Sequence, residues 1–143
     1  MPESPKIPEA FRRFVEPYYV DAFGSMPPVP GERLSLSDNP GRDLNVRLEE
    51  ARASALFGDG IDKKTAQLLA FALLTGSGSP GGIWHARAAR RYGATFEELY
   101  RTLEITTFFK GVQALNDGGR SLGQLWKEEQ DRAASSGESK GQK

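Results

Sequence analysis

His85 is the only histidine in the chain, and it follows a glycine-rich stretch, Gly76-Ser77-Gly78-Ser79-Pro80-Gly81-Gly82-Ile83-Trp84. Neither this stretch nor the rest of the 143 residues contains a cysteine. An imidazole is the side chain that titrates nearest neutral pH, so proton transfer is the chemistry this position offers. On a helix, His85 shares a face with Ala88, Ala89 and Tyr92, while Trp84, Arg87 and Arg91 fall on another side. The ring is therefore expected to point inward. It can serve there as a buried, hydrogen-bonded histidine or as a proton-transfer group in a small apolar pocket, for which Ala88 and Ala89 leave room.

Other chemistries fit less well. Gly76 to Gly81 matches the spacing G-x-G-x-x-G, but that fingerprint needs a strand before it, and the preceding segment is Leu- and Ala-rich and helical in pattern. No Gly-Lys-Ser/Thr follows to make a phosphate loop. The stretch reads as a turn between two helices, whose amides at the helix start could hold a ligand carboxylate. Ser77 or Ser79 would need His85 as a base for nucleophilic catalysis, and no Gly-x-Ser-x-Gly elbow on a strand is present. One histidine, no cysteine and no clustered carboxylates do not make a metal site, so neither metal nor cofactor is expected. Arg87, Arg90 and Arg91 form a basic cluster of the kind usual on a solvated helix face or subunit contact.

Composition narrows the class further. Nineteen basic and nineteen acidic side chains give a formal net charge of zero, which argues against nucleic-acid or anionic-membrane partners held by bulk charge. No apolar run approaches the ~20 residues that span a bilayer. The segment Met1-Pro2-Glu3-Ser4-Pro5-Lys6 lacks the apolar centre of a signal peptide. A cytoplasmic protein with no disulfide, no thiolate metal site and no redox dithiol is expected.

The elements that must position His85 are helices. Valine and isoleucine are scarce, alanine and leucine are common, and no run alternates in the manner of a strand. Residues 1–8 are Pro-rich and expected to fray. Phe11, Phe14, Val15, Tyr18 and Ala22 follow helical spacing, with a break or kink expected at Pro17. Residues 24–42, with four prolines and the turn signals Asp38-Asn39-Pro40-Gly41, predict a long loop or arm. Asp43 to Phe57 predicts a helix burying Leu44, Leu48, Ala51 and Leu56. Asp62 then suits the N-cap of a helix to about Thr75. Its stretch Leu68-Leu69-Ala70-Phe71-Ala72-Leu73-Leu74 is apolar all round, as befits a core or interface. The helix carrying His85 starts near Gly81 or Gly82 and ends at Tyr92-Gly93. Thr95-Phe96-Glu97-Glu98 fits a capping box for the next, which closes at Lys110-Gly111. A last helix from about Val112 to Lys127 carries Gly118 and Gly119, where another helix is expected to approach closely. Residues 133–143 are small, polar and charged and predict disorder. The organisation expected is an extension over 1–42, a helical core over 43–127 and a disordered tail over 128–143.

Three ordered segments carry a family resemblance: Ile61-Asp62-Lys63-Lys64-Thr65-Ala66-Gln67-Leu68-Leu69-Ala70; His85-Ala86-Arg87-Ala88-Ala89 with Tyr92-Gly93-Ala94-Thr95 and Glu97-Glu98-Leu99; and Phe109-Lys110-Gly111-Val112-Gln113-Ala114-Leu115-Asn116. Across roughly 43–126 the chain resembles the alkylhydroperoxidase D/carboxymuconolactone decarboxylase superfamily. The resemblance implies an all-α, alkylhydroperoxidase D-like helical domain of about six helices that is an obligate homo-oligomer, a trimer or hexamer with pockets near the interfaces. Members that reduce peroxides carry C-x-x-C with the second cysteine four residues before the histidine; those places here are Gly78 and Gly81. Their proton-relay glutamate matches Gln67. Glycine cannot reduce a peroxide and glutamine cannot shuttle a proton, so alkylhydroperoxidase (peroxiredoxin-type) activity is disfavoured on chemical grounds.

The decarboxylase branch resembles this pattern in keeping the histidine without the dithiol. It implies a cysteine-free lyase or isomerase acting on a small carboxylated or lactone substrate, with His85 as general acid/base and the turn amides, Gln67 or a nearby arginine stabilising developing charge. Gly78, Gly81, Tyr92 and Asn116 are the substrate-binding candidates. The alternative is a non-catalytic oligomeric binding or scaffold protein of the same fold, which the loss of reactive groups at Gln67, Gly78 and Gly81 favours. The partners expected are a further copy of the chain and a small carboxylate or lactone, with no nucleic acid and no membrane.

Overall fold

The structure, a computed structural model, describes residues 7–36 and 44–138, and among these there is no strand. Helices connected by short turns follow one another: α1 (residues 9–23), α2 (Pro28–Ser35), α3 (Leu44–Phe57), α4 (Lys63–Gly76), α5 (Gly82–Arg91), α6 (Phe96–Lys110) and α7 (Val112–Glu138). Seven helices are thus described where about six were expected. None is long and apolar enough to cross a membrane. The chain divides into two compact units, residues 1–66 and 67–143.

In the first unit, Pro17 does not break α1. It sits in a π-helical stretch, Val15–Val20, whose wider turn accommodates the ring and the missing N–H that an α turn would not. The expected loop over 24–42 is also corrected, because residues 28–35 are helical. Pro28 stands at the start of α2, where its lost N–H would have had no partner anyway. The turn signals at 38–41, the start at Asp43 and residues 1–6 lie outside the described residues. Phe11, Phe14 and Leu34 form a small core, with Ile7, Tyr18, Met26 and Val46 against it.

Helix α3 is turned differently from its apolar pattern. Leu44 and Leu48 are 62% and 48% exposed, Ala51 is exposed and Leu56 half-buried, while Glu49 is buried. The Glu49 carboxylate accepts a 2.8 Å hydrogen bond from the Tyr19 hydroxyl and pairs with Arg33, which also bonds Asn45. A buried carboxylate is tolerated only when paired and hydrogen-bonded in this way. Burial, and after it the bond to Glu49, push the Tyr19 hydroxyl well above its ordinary range, against the opposing pull of Arg52.

In the second unit, Phe71, Ala86, Ala89, Ala94, Leu99, Leu103, Leu122 and Leu125 form the core. Local signals set the helix ends. The Asp62 carboxylate accepts the Thr65 amide at 3.0 Å to start α4. Gly93, at φ 91°, closes α5, with the Ala94 amide reaching the Ala89 carbonyl at 2.9 Å. Thr95 and Glu98 complete the capping box of α6. Helix α4 is buried on one side at Phe71, yet Leu69 and Leu73 on it are exposed. Of the paired glycines, Gly118 has the close approach expected, since a Cβ there would lie 2.2 Å from a Leu103 methyl. Gly119 has nothing within 4 Å. Residues 128–138, expected as disordered tail, continue α7. Their first residues are tied down: Arg87 donates to Glu128 at 3.0 and 2.6 Å, and Arg90 to Glu129 at 2.9 and 2.7 Å. Residues 139–143 lie outside the described residues.

Candidate functional site

Two helices of the second unit and the turn between them make the site. Helix α4 ends at Gly76, and the chain reverses through Ser77 to Gly81 into α5. The Ser77, Gly78 and Ser79 amides donate back to carbonyls of residues 73–75. Gly78 takes a left-handed φ of 73°. The Ser79 hydroxyl accepts the Gly81 amide at 3.2 Å, and Gly82 donates to the Ser79 carbonyl at 3.5 Å. Every amide hydrogen from Ser77 to Gly82 is therefore used within the turn, which opposes its expected role as a carboxylate cradle. The hydroxyls serve the same end, as Ser77 donates to the Leu74 carbonyl at 2.9 Å. That leaves Ser77 and Ser79 as turn-formers. At Gly82 an added Cβ would come 2.7 Å from the Thr75 hydroxyl; the two helices meet closely because no side chain intervenes.

That close packing brings the two catalytic candidates together. His85 Nδ1 lies 2.7 Å from Gln67 Oε1. A carbonyl oxygen can only accept, so the imidazole N–H donates and the neutral ring carries its lone pair on Nε2. Gln67 is fully buried, whereas His85 is half-buried beside the buried Ala86, Ala88 and Ala89. The Gln67 Nε2 has no hydrogen-bond partner, an arrangement that costs about 1–3 kcal/mol for a buried donor. One ring nitrogen is thus held by a neutral amide, which adds no charge beside the imidazole.

The remaining candidates are dispersed. Gly78 lines a cleft of about 270 Å³ together with Thr75, Ser79, Ile83, Asp117 and Arg120, and neither His85 nor Gln67 lines it. Gly81 is the N-cap of α5 and Tyr92 its C-cap, so these two stand at opposite ends of one helix. Asn116 is exposed on α7. The arginine cluster is partly structural, because Arg87 and Arg90 are committed to Glu128 and Glu129. Sequence reasoning passed over the polar wall of the cleft; Asp117, Arg120, Ser121 and Gln124 on α7 recur at helical spacing, the one signal that could have shown it. Among the described residues no three histidines or carboxylates gather as a metal site.

Residues 43–120 match the sequence pattern of the Carboxymuconolactone decarboxylase family. No curated protein matches the chain. Among solved structures, the chain is similar to a crystal structure from Burkholderia xenovorans LB400 described as a candidate carboxymuconolactone decarboxylase. The two share 17% sequence identity and a TM-score of 0.74, over 89% of this chain and 96% of that one. At that identity the likeness is one of fold. Because the family pattern covers more than half of the residues, the chain belongs to the carboxymuconolactone decarboxylase family.

Proposed function

We propose that the chain is a lyase or isomerase of its family, acting on a small carboxylated or lactone substrate with His85 as general acid/base. The observation that carries this is the 2.7 Å contact between His85 and a buried, uncharged Gln67. In the decarboxylating version the bond from carbon to carboxylate breaks, CO2 leaves, and the electron pair remains on an enolate-like carbon. The Nε2–H of the imidazolium then gives its proton to that carbon, and the ring returns to neutral with Nδ1–H still on Gln67. Gln67, fully buried behind the ring, holds the imidazole through Nδ1. With carboxymuconolactone as probe, His85→Gln and His85→Ala are expected to abolish CO2 release while circular dichroism keeps its helical signal. Full activity in either variant removes the proposal.

A second reading, a non-catalytic oligomeric binding or scaffold protein, draws on the turn at 77–82, whose amides are all spent internally. It is the reading to adopt if the parent chain releases no CO2 from the probe and binds it unchanged. Either way, assembly of the chain with copies of itself as a trimer or hexamer is part of the proposal, supported by the exposed apolar residues Ile105, Phe108 and Phe109.

A further inference from the structure

The cleft beside the glycine turn has a polar lining whose hydrogen-bonding capacity is not used up within the protein. Asp117, Arg120, Ser121 and Gln124 follow one another at helical spacing on one face of α7 and share the cleft with Ser79 and Ile83. The Arg120 guanidinium pairs with Asp117 Oδ1 at 3.6 Å, too far for a normal hydrogen bond. An exposed pair of this kind contributes little, so the guanidinium donors stay available. Asp117 Oδ1 accepts from Gln113 at 3.1 Å, which leaves Oδ2. Gln124 spends an amide N–H on Glu128 at 3.0 Å and keeps its carbonyl oxygen. The Ser79 oxygen accepts the Gly81 amide, and among the described residues its hydrogen has no acceptor. Thr75, 4% exposed, is the buried member of the lining. Thr102, Thr106 and Thr107 each donate to the carbonyl four residues earlier, whereas the Thr75 hydroxyl has no partner among the described residues.

We propose that this cleft is a small-molecule site, separate from His85, that holds a free amino acid as its zwitterion. Arg120 and Ser79 are donors suited to a carboxylate, while Asp117 and Gln124 are acceptors suited to an ammonium group. The cation and anion that line the cleft cancel, so it has no net charge of its own. A ligand bearing only a carboxylate would meet the like charge of Asp117 beside Arg120, and one bearing only an ammonium would meet Arg120. A zwitterion, with both groups on one carbon, satisfies the pair. Ile83 and Pro80 add an apolar wall, which favours an aliphatic side chain. At about 270 Å³ the cleft falls below the ~300–1,000 Å³ of pockets for drug-sized ligands, a size that suits a single amino acid.

The site does not depend on the acid/base role of His85, and it is measurable without turnover. In amide 1H–15N spectra of the full chain, L-valine is expected to give saturable shifts at Gly78, Ser79 and Ser121. Isovalerate is valine without its ammonium, and isobutylamine is valine without its carboxylate. Each is expected to bind about tenfold more weakly or worse, the loss of one charged hydrogen-bonded contact. Arg120→Ala alters a side chain that is 79% exposed, so the fold is kept. It is expected to weaken valine about tenfold without weakening isobutylamine. His85→Ala is expected to bind valine as the parent does. No saturable valine shift at these amides, unchanged valine affinity in Arg120→Ala, or isovalerate binding as tightly as valine overturns the proposal. A chain that binds valine yet releases no CO2 from the lactone leaves the cleft standing and refutes the enzymatic reading alone.

Discussion

Tyr19 shows how one side chain couples this protein to pH. Its hydroxyl is buried on the Glu49 carboxylate, and its ionisation is displaced upward from the ordinary 10.0, by burial first. The folded state then holds the phenolic proton more tightly than the unfolded state. The stability that follows is complete below the ordinary value and is lost as the pH rises above it. Urea midpoints of the full chain should fall as the pH is taken through about 10, the ordinary tyrosine range. Tyr19→Phe should remove the Tyr19 share of that slope and lower the neutral-pH stability by about 0.5–1.5 kcal/mol for the lost hydrogen bond. An unaltered alkaline slope in Tyr19→Phe would place the titration elsewhere. His85 and Gln67 illustrate the reverse case, a pair in which the neutral partner adds no charge beside the ring. The chemical type of His85 was legible from its sequence position, and the family resemblance named Gln67 with it; the hydrogen bond between them was not legible, because Gln67 lies eighteen residues away on another helix.

Helix ends and helix faces were legible to different degrees. Asp62, Gly93 and the Thr95–Glu98 box all act within one turn of their own backbone, so local composition shows them. The buried face of α3 was misjudged because Glu49 faces inward only through Tyr19 and Arg33, thirty and sixteen residues away. The length of α7 was underestimated for a similar reason. Glu128 and Glu129 are held below the usual carboxylate range chiefly by hydrogen bonds from Arg87 and Arg90. Their stabilisation is present above the ordinary carboxylate value and is lost as the pH falls toward the lowered one. Each pair is partly solvated, so it contributes about 1 kcal/mol or less. Glu128→Gln with Glu129→Gln should flatten the acid limb of the stability profile, and amide exchange should speed up over 128–138 while the core at Leu103 stays protected. The two glycines of α7 should part company. Gly118→Ala drives a methyl into Leu103 and should cost about 1–3 kcal/mol. Gly119→Ala meets nothing and should stabilise by about 0.5–1 kcal/mol through helix propensity. Thermal unfolding of the two single variants checks both signs.

At the scale of the molecule, several large apolar side chains among the described residues stay exposed. Phe108 and Phe109, stacked edge-on at 5.1 Å, are 84% and 76% exposed, and Ile105 lies one turn before them. Exposed aromatics in a contiguous group are the kind of surface that association buries. If the proposed self-assembly uses this end of α6, Phe108→Glu with Phe109→Glu should lower the mass measured by light scattering while leaving the helical signal intact. An unchanged mass would move the interface elsewhere.

The amino-acid sequence alone determined the helical class, the starts of α4 and α6 and the stop of α5, the absence of thiol chemistry and the single proton-transfer group. These depend on residue type, on spacing within a few positions, or on what is missing from the composition. The tertiary structure alone decided that Gln67 meets Nδ1, that the glycine turn spends its own amides, that Glu49 rather than Leu48 is buried on α3, and that α7 runs on to Glu138. The pairing at His85, the face of α3 and the anchoring of α7 rest on partners distant in the chain. The turn depends on left-handed backbone at Gly78, which spacing does not reveal.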